Sequence, residues 1–582
     1  MKKAVKKKIV AAVAFASACV LSASIVAAYG ERNVVAGNLT DNVAAVAVEN
    51  VEMDGGYKKT TKSFVQEKSN EEVAYTEGLS YNYVVITDDK DEIVDKYYVL
   101  RSIGTSKSVD IIIPSEIDLV DAFGKVVSSI PVREIHPFAF KGNTDIKSVV
   151  IPETVEVIGA DAFKGCTSLE KVEMPKNLGV RVYGDEDKAN KGKLLDGTIE
   201  RGAFAYCGAL TEIKIPSNVK AIADDTFNMC AALEKVTLHK DITAIGRNAF
   251  ARCSSLMAIK IPEKVAMISD GAFHYCTALE TVEFSENVTR IGKRAFAGCS
   301  SLTEVKLPNP SAKDATLTVD KYAFAYCDNL ESVSVSEKTE SIANYAFAAC
   351  KNLKEFKVAK KNAVYQAIDG DLYTKEQKTL MQYALGKTDK DVVIDSDVLV
   401  IADGAFATAN NIESVTFEYE VIYEENAQGE KVKVDVDGVK VIGDNAFFGC
   451  EKLASVALCD GLMAIGEGAF RNCNALETVV IVIPQAPDVF DVSEDKKVMD
   501  MNIYNFAFRW CENLEKVYVK GDYKSWKLKV NLGILTGMED VEVYYYSEEF
   551  KDNHWYYEDG VPTVWVPDAP DDMPEWIPDE NA

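Results

Sequence analysis

The chain has 582 residues, 91 acidic against 64 basic side chains and a formal charge of −27 at neutral pH. A field that negative argues against nucleic acid, which needs clustered Lys and Arg on phosphates, and against an anionic membrane surface. Length alone suggests about four domains, and the composition pairs 13 cysteines with only 4 histidines.

In chain order, Lys2, Lys3, Lys6, Lys7 and Lys8 precede an apolar run from Ile9 to about Ala28. A basic start, an apolar stretch and small residues before Tyr29 describe a secretory signal peptide over residues 1–28. An uncleaved anchor helix is the alternative reading of the same run. Cleavage removes five positive charges and leaves −32. No later stretch reaches 18 apolar residues, so no transmembrane segment is expected in the mature chain. The expected localisation is secreted/extracellular or cell surface. Residues 29–76 show no sustained period and read as a linker without a packed core. Over 77–134, the alternating runs "YNYVVI", "KYYVL" and "VDIIIP" read as an N-terminal β cap.

From Cys207 to Cys230, Cys253, Cys276 and Cys299 each step is 23 residues, and Cys327 to Cys350 and Cys450 to Cys473 repeat it. Each cysteine follows a Phe by three residues, in units that read I-x-x-x-A-F-x-x-C-x-x-L-x-x-V-x-I-P. Anchored on Phe, 13 copies run from Phe140 to Phe508. The end of the unit alternates with period two and closes on Pro, which reads as a short strand. The A-F-x-x-C-x-x-L part has apolar residues at three-residue steps, which suits a short helical turn. One unit cannot bury its Phe, Leu, Val and Ile, whereas stacked units can. The fold class expected is a β-rich repeat solenoid with short helical turns. Its units of about 23 residues stack into a parallel sheet over 135–520, capped at both ends. A rod of roughly 60 Å follows from a strand spacing of about 4.8 Å.

These copies resemble the BspA-like leucine-rich repeat family of bacterial secreted and surface proteins, a variant of the leucine-rich solenoid. The resemblance implies protein–protein interaction or adhesion to host or neighbouring-cell proteins, without catalysis. The partner class it implies is an extracellular protein of unstated identity.

Between Phe347 and Phe406 the spacing is 59 residues, and alternation around Asp369-Gly370 and Leu380 reads as a β-hairpin insertion at about 360–398. Polar excursions at about 180–198 and 419–438 read as loops. Residues 521–566 read as a C-terminal cap, containing Trp555 and Trp565, and 567–582 as an acidic, Pro-rich tail holding Trp576.

The repeat cysteines are Cys166, Cys207, Cys230, Cys253, Cys276, Cys299, Cys327, Cys350, Cys450, Cys473 and Cys511. An exported chain favours disulfides, yet identical units give parallel Cβ vectors that do not converge. Ala409 and Asn143 take the same place in other copies. The position therefore asks for a small buried side chain, which free Cys supplies. No metal site is expected, because no C-x-x-C pair or nearby His converges with them. His136, His239, His274 and His554 lie in different units or caps and build no catalytic triad. No catalytic or cofactor-binding residue is expected, and no cofactor.

The candidate binding face consists of the outward residues of the strands: Glu212, Lys214, Lys235, Thr237, Lys260, Thr281, Glu283, Glu304, Lys306, Glu355 and Lys357. Glu212 should lie beside Lys235, and Glu173 beside Lys214. Such opposite-charge neighbours stabilise a sheet by roughly 0.2–1 kcal/mol each, so the face is also explained as a solvated charge ladder. The functional expectation is a secreted or surface repeat protein that binds proteins. The alternative is a structural acidic spacer or envelope component without a specific ligand.

Overall fold

The computed structural model describes residues 43–54, 57–66, 75–88, 90–120, 125–176, 178–179, 197–375, 378–425, 429, 431–459, 461–482, 502–503, 506–520, 541–547, 554–558 and 561–564. Among them the regular elements are strands, with no helix.

Each unit contributes two strands. The first is the expected V-x-I strand. Glu212–Lys214 pairs with Lys235–Thr237, Ala258–Lys260 with Thr281–Glu283, and Glu304–Lys306 with Ser332–Val335, all parallel and in register. Alternation decides the faces: Ile213, Ile259 and Val305 are buried between exposed neighbours. Proline ends this strand because it cannot donate to the ladder. Its carbonyl then accepts the N–H three residues on, as Pro216 does from Val219 and Pro262 from Val265.

The second strand falls on the Ile that opens the unit. Gly197–Ile199, Val219–Ile222, Ala244–Ile245, Met267–Ile268, Arg290–Ile291, Leu317–Val319 and Thr339–Ile342 form one seven-stranded ladder. It runs parallel throughout. The array therefore has two parallel ladders, not the single sheet expected.

The A-F-x-x-C segment corrects the expectation of a helical turn. The Cys N–H does bond back to the Phe carbonyl of its own unit, at 3.2 Å for Cys230 to Phe227. The Phe N–H instead crosses to the next unit: Phe163 to Ala203 at 2.8 Å, Phe204 to Thr226 at 2.9 Å and Phe250 to Ala272 at 2.8 Å. Residues two before and two after Phe sit at positive φ, for example Asp225 (58°) and Met229 (62°) around Phe227. Alternating handedness breaks any helix and aims successive N–H groups along the solenoid axis. The turns thus form a third hydrogen-bonded side.

Stacking puts like on like. The phenyl rings of Phe140, Phe163, Phe204, Phe227, Phe250 and Phe273 follow one another at 5.0–5.6 Å, within 11° of parallel. The repeat cysteines are buried and reduced, and none is in a disulfide among the described residues. Each Sγ donates to the Phe carbonyl of the preceding unit, as Cys230 does to Phe204 at 3.1 Å and Cys276 to Phe250 at 3.1 Å. Small size was legible in the sequence; this weak donor role was not. Burial pushes the Cys230 and Cys276 thiols up to about 12.

The segment at 360–398 holds more than a hairpin. Tyr365–Ile368 and Asp371–Thr374 do form an antiparallel pair around Asp369-Gly370. The next strand, Thr379–Gln382, is antiparallel to Asp371–Thr374 but parallel to Val400–Ile401, so it rejoins the second ladder. Tyr383 then fills the Phe place. Its N–H donates to the Ala405 carbonyl at 2.9 Å and its ring lies 4.8 Å from Phe406. The Phe-anchored count of 13 therefore misses a unit whose anchor is Tyr. The buried core divides here, one cluster reaching Leu372 and the next starting at Leu380. Polar groups fill the junction. Asn362 Nδ2 donates to the Ser336 and Thr339 carbonyls, while Asp371 accepts from the Ala384 N–H at 2.8 Å and lies 3.1 Å from Lys387 Nζ. Burial, opposed by these partners, raises the Asp371 carboxyl to about 6.

Two other regions differ from the reading of the sequence. Val43–Asp54 and Tyr57–Gln66 form an antiparallel hairpin inside the stretch read as linker, continuing onto Ser80–Thr87. Val421–Glu425 and Lys431–Val436 form a hairpin where a polar loop was expected. At the N-terminal end, Asp110–Ile112 pairs with Ser148–Val150 and, in a separate sheet, Val126–Ile135 pairs with Val157–Ile158. At the other end, Glu542–Tyr546 continues the ladder from Lys516–Lys520. Trp555 is fully buried there, its Nε1 donating to the Val519 carbonyl at 3.2 Å. The leader, most of the 180–198 excursion, Trp565 and Trp576 lie outside the described residues.

Replacing Phe250 by Ala opens a hole in a fully buried ring stack and should cost about 3–5 kcal/mol in urea unfolding. Iodoacetamide should leave the repeat cysteines unmodified in the native protein and label them after denaturation, read by mass spectrometry. The raised Asp371 pKa means its contribution to stability is present below about pH 4 and is lost as pH rises through 6. Melting of the wild type relative to Asp371→Asn should therefore improve as pH falls from 6 to 4.

Candidate functional site

The first ladder presents the candidate strand face. Glu212, Lys214, Lys235, Thr237, Lys260, Thr281, Glu283, Glu304 and Lys306 are all exposed, and Glu355 is half-buried beside exposed Lys357. Register places Glu212 opposite Lys235 and Lys214 opposite Thr237. Lys260 and Glu283 pair across strands at 3.0 Å. Other lysines turn along their own strand: Lys171 to Glu173 at 2.7 Å, Lys306 to Glu304 at 2.8 Å and Lys357 to Glu355 at 2.6 Å. The partner of Glu173 is thus Lys171 and not the Lys214 expected from the sequence. Two residues apart on one strand, the pair shares a face without needing the neighbouring rung. Exposed pairs of this kind contribute about 0–1 kcal/mol. Four lysines of the face, Lys171, Lys260, Lys306 and Lys357, are thus each paired with a glutamate on it.

Chemical machinery does not converge on it. No group of three or more His, Cys, Asp or Glu among the described residues could hold a metal ion. Core thiols and tyrosines such as Cys253 and Tyr98 have raised pKa values because burial takes them away from solvent. A shallow polar groove near the N-terminal end is lined by Tyr75, Glu77, Lys107 and Asp110 among others.

The turn side is different in composition, and the sequence reading passed over it. Of the 11 Arg in the chain, six (Arg201, Arg247, Arg252, Arg294, Arg471 and Arg509) lie within three residues of a repeat Phe. Between Phe250 and Phe347 they meet aromatic rings. The Arg252 guanidinium lies 5.7 Å from the Tyr275 ring, Arg294 5.3 Å from Tyr322, and Lys321 5.3 Å from Tyr322 and 4.5 Å from Tyr345. The rings of Tyr322 and Tyr345 are 5.4 Å apart. His274 sits 4.4 Å from the Tyr275 ring, and burial, with Arg252 and Arg294 on either side, holds it below its ordinary pKa. Carboxylates nearby are engaged elsewhere. Asp224 binds Arg247 at 3.0 Å, Asp320 binds Arg290 at 2.8 Å, and Asp270 accepts from the Lys293 N–H. Arg252, Arg294 and Lys321 make no ion pair among the described residues.

The backbone adds to the contrast. Arg252, Tyr275, Arg294, Tyr322, Tyr326 and Tyr345 occupy positive-φ places, with Gly271 and Gly298 in the other such place of the Phe273 and Phe296 turns and Gly202 in an earlier turn. An L side chain there costs roughly 1–2 kcal/mol, so the fold itself would favour glycine. Tyr345 has a structural task as well. Its hydroxyl donates to the Asp444 carbonyl at 2.8 Å, bridging the turn that the Tyr383 unit lacks. A legible signal existed in the sequence, namely Arg and Tyr two residues from Phe, but only strand positions were read as outward.

The arrangement has relatives. The BspA type leucine-rich repeat region, in six copies, matches residues 128–181, 197–315, 317–369, 378–494 and 422–529. No curated protein matches. Among solved structures, a leucine-rich repeat protein from Bacteroides ovatus is 20% identical, with 82% of this chain and 100% of that one covered and a TM-score of 0.46. A leucine-rich cell surface protein from Faecalibacterium prausnitzii is 22% identical, covering 81% of this chain and 100% of its own, with a TM-score of 0.41. A Treponema pallidum leucine-rich repeat protein is 24% identical over 41% of this chain and 91% of its own, with a TM-score of 0.30. With two ladders, a phenylalanine stack and matches along most of the array, this chain belongs to the BspA-type leucine-rich repeat family.

Proposed function

We propose that this is an exported leucine-rich repeat protein, secreted or held at the cell surface, that binds extracellular proteins and performs no chemistry. The observation that carries the reading is the division of labour within each unit. Phe, Cys, Leu and Ile hold the array together from inside, so the outward positions are free of core duty, and on the turn side they include Arg and Tyr. Those residue types dominate binding energy at protein interfaces. The basic, then apolar, leader supports export. Repeats define a scaffold and do not fix a partner.

A second reading, a stiff acidic spacer without a ligand, is favoured by the strand face alone, where lysines and glutamates satisfy one another. The two separate experimentally. Pull-down from host matrix and neighbouring-cell surface proteins should enrich specific partners over a charge-matched acidic control protein. Reversing Lys260, Glu283, Glu304 and Lys306 together should leave cell association intact under the spacer reading. Recovery of the chain only from the cytoplasm, after fractionation into medium, wall and membrane, would defeat both.

A further inference from the structure

We propose that the turn-side patch of Arg252, Arg294, Lys321 and the rings of Tyr275, Tyr322 and Tyr345 receives the acidic, Pro-rich segment 567–582 of a second copy of this chain. The inference rests on the protein-binding reading above and names the partner. Charge complementarity comes first. The segment carries Asp568, Asp571, Asp572, Glu575, Asp579 and Glu580 and no basic residue, while the patch holds three cations without carboxylate partners in a strongly acidic protein. Arg252, Tyr275 and Arg294 stand exposed at positive φ, where Gly271 and Gly298 show that glycine is also accommodated.

Shape and spacing agree. With Pro567, Pro570, Pro574 and Pro578 the segment has the composition of the Pro-rich ligands that dock on aromatic-lined surfaces. The four steps from the Phe250 ring to the Phe347 ring, 5.5, 5.2, 5.3 and 5.4 Å, give a patch about 21 Å long. At about 3.1 Å per residue, seven polyproline residues cover that length. Carboxylates three residues apart, such as Asp568 and Asp571, recur every roughly 9 Å, close to the two rungs between Arg252 and Arg294.

The partner is a second copy because of reach. Val561–Val564 is the eighth strand of the sheet that begins at Asp391–Ile394, and the patch lies before that first strand. Seven strand spacings amount to roughly 34 Å. Asp568 follows Val564 by four residues and extends about 13 Å, and Asp572 about 27 Å. Asp568, Asp571 and Asp572 cannot reach the patch of their own chain, whereas Glu575 at about 36 Å and Glu580 at about 53 Å can, so only a second copy brings the whole segment onto it. Overall repulsion between acidic copies keeps the contact weak.

The test titrates a fluorescein-labelled peptide of residues 566–582 into the mature chain and follows anisotropy. Saturable binding is expected, weakened at least tenfold in the triple variant Arg252→Gln, Arg294→Gln, Lys321→Gln. That variant should melt like the wild type, because all three side chains are exposed. Sedimentation should show concentration-dependent association of the full chain that is lost on deleting 567–582. Equal peptide affinity for wild type and triple variant, or identical sedimentation with and without the segment, would overturn the proposal. So would binding of heparin at the patch without binding of the peptide. Retention of host partners alongside any of these results would leave the broader binding reading standing.

Discussion

The structure depends on the stack of phenyl rings down its axis. A unit of about 23 residues cannot shield its own Phe, Leu, Val and Ile, and only the next unit can. Each ring lies 4.7–5.6 Å from its neighbour where stacks occur, a geometry worth about 0.5–1.5 kcal/mol per pair beyond buried area. Because the contact is between identical residues, it forces identical units into one register. Strand pairing, turn hydrogen bonds and the cysteine-to-carbonyl bonds then repeat without further specification.

That register also explains the cysteines. The place beside the Phe carbonyl of the preceding unit admits only a small side chain, and a thiol adds a weak donor where Ala adds nothing. Units repeat by translation, so neighbouring thiols lie side by side with parallel Cβ vectors and do not meet in the geometry of a disulfide. The array thus carries a row of reduced cysteines that burial protects from oxidation.

The surface divides along the same geometry. Strand positions alternate strictly, and their charges neutralise one another along or across the ladder. Turn positions flank the Phe and carry positive φ, so glycine is their inexpensive occupant. Where the chain places Arg252, Arg294, Tyr322 or Tyr345 instead, it accepts backbone strain to display a cation or a ring. The Tyr383 unit shows how far the array tolerates variation. An antiparallel hairpin enters the second ladder, a tyrosine replaces the phenylalanine, and Asp371, Lys387 and Asn362 satisfy the buried polar groups left between the two core clusters.

The sequence by itself determined the repeat, its family, the inward set of Phe, Cys, Leu, Val and Ile, and the strand that ends on Pro, because spacing alone dictates which side chains must be buried together. It also announced the Asp369-Gly370 hairpin through its turn residues. Only the tertiary structure decided the second ladder, since a two-residue strand leaves no periodicity to read. The same holds for the turn layer: three-residue apolar steps fit a helix or a chain of turns equally well until hydrogen bonds between units choose. Tyr383 as an anchor and Lys171 as the partner of Glu173 were likewise settled by packing. The grouping of Arg252, Arg294 and Lys321 with Tyr275, Tyr322 and Tyr345 spans 94 residues of sequence, and stacking alone brings it onto one surface.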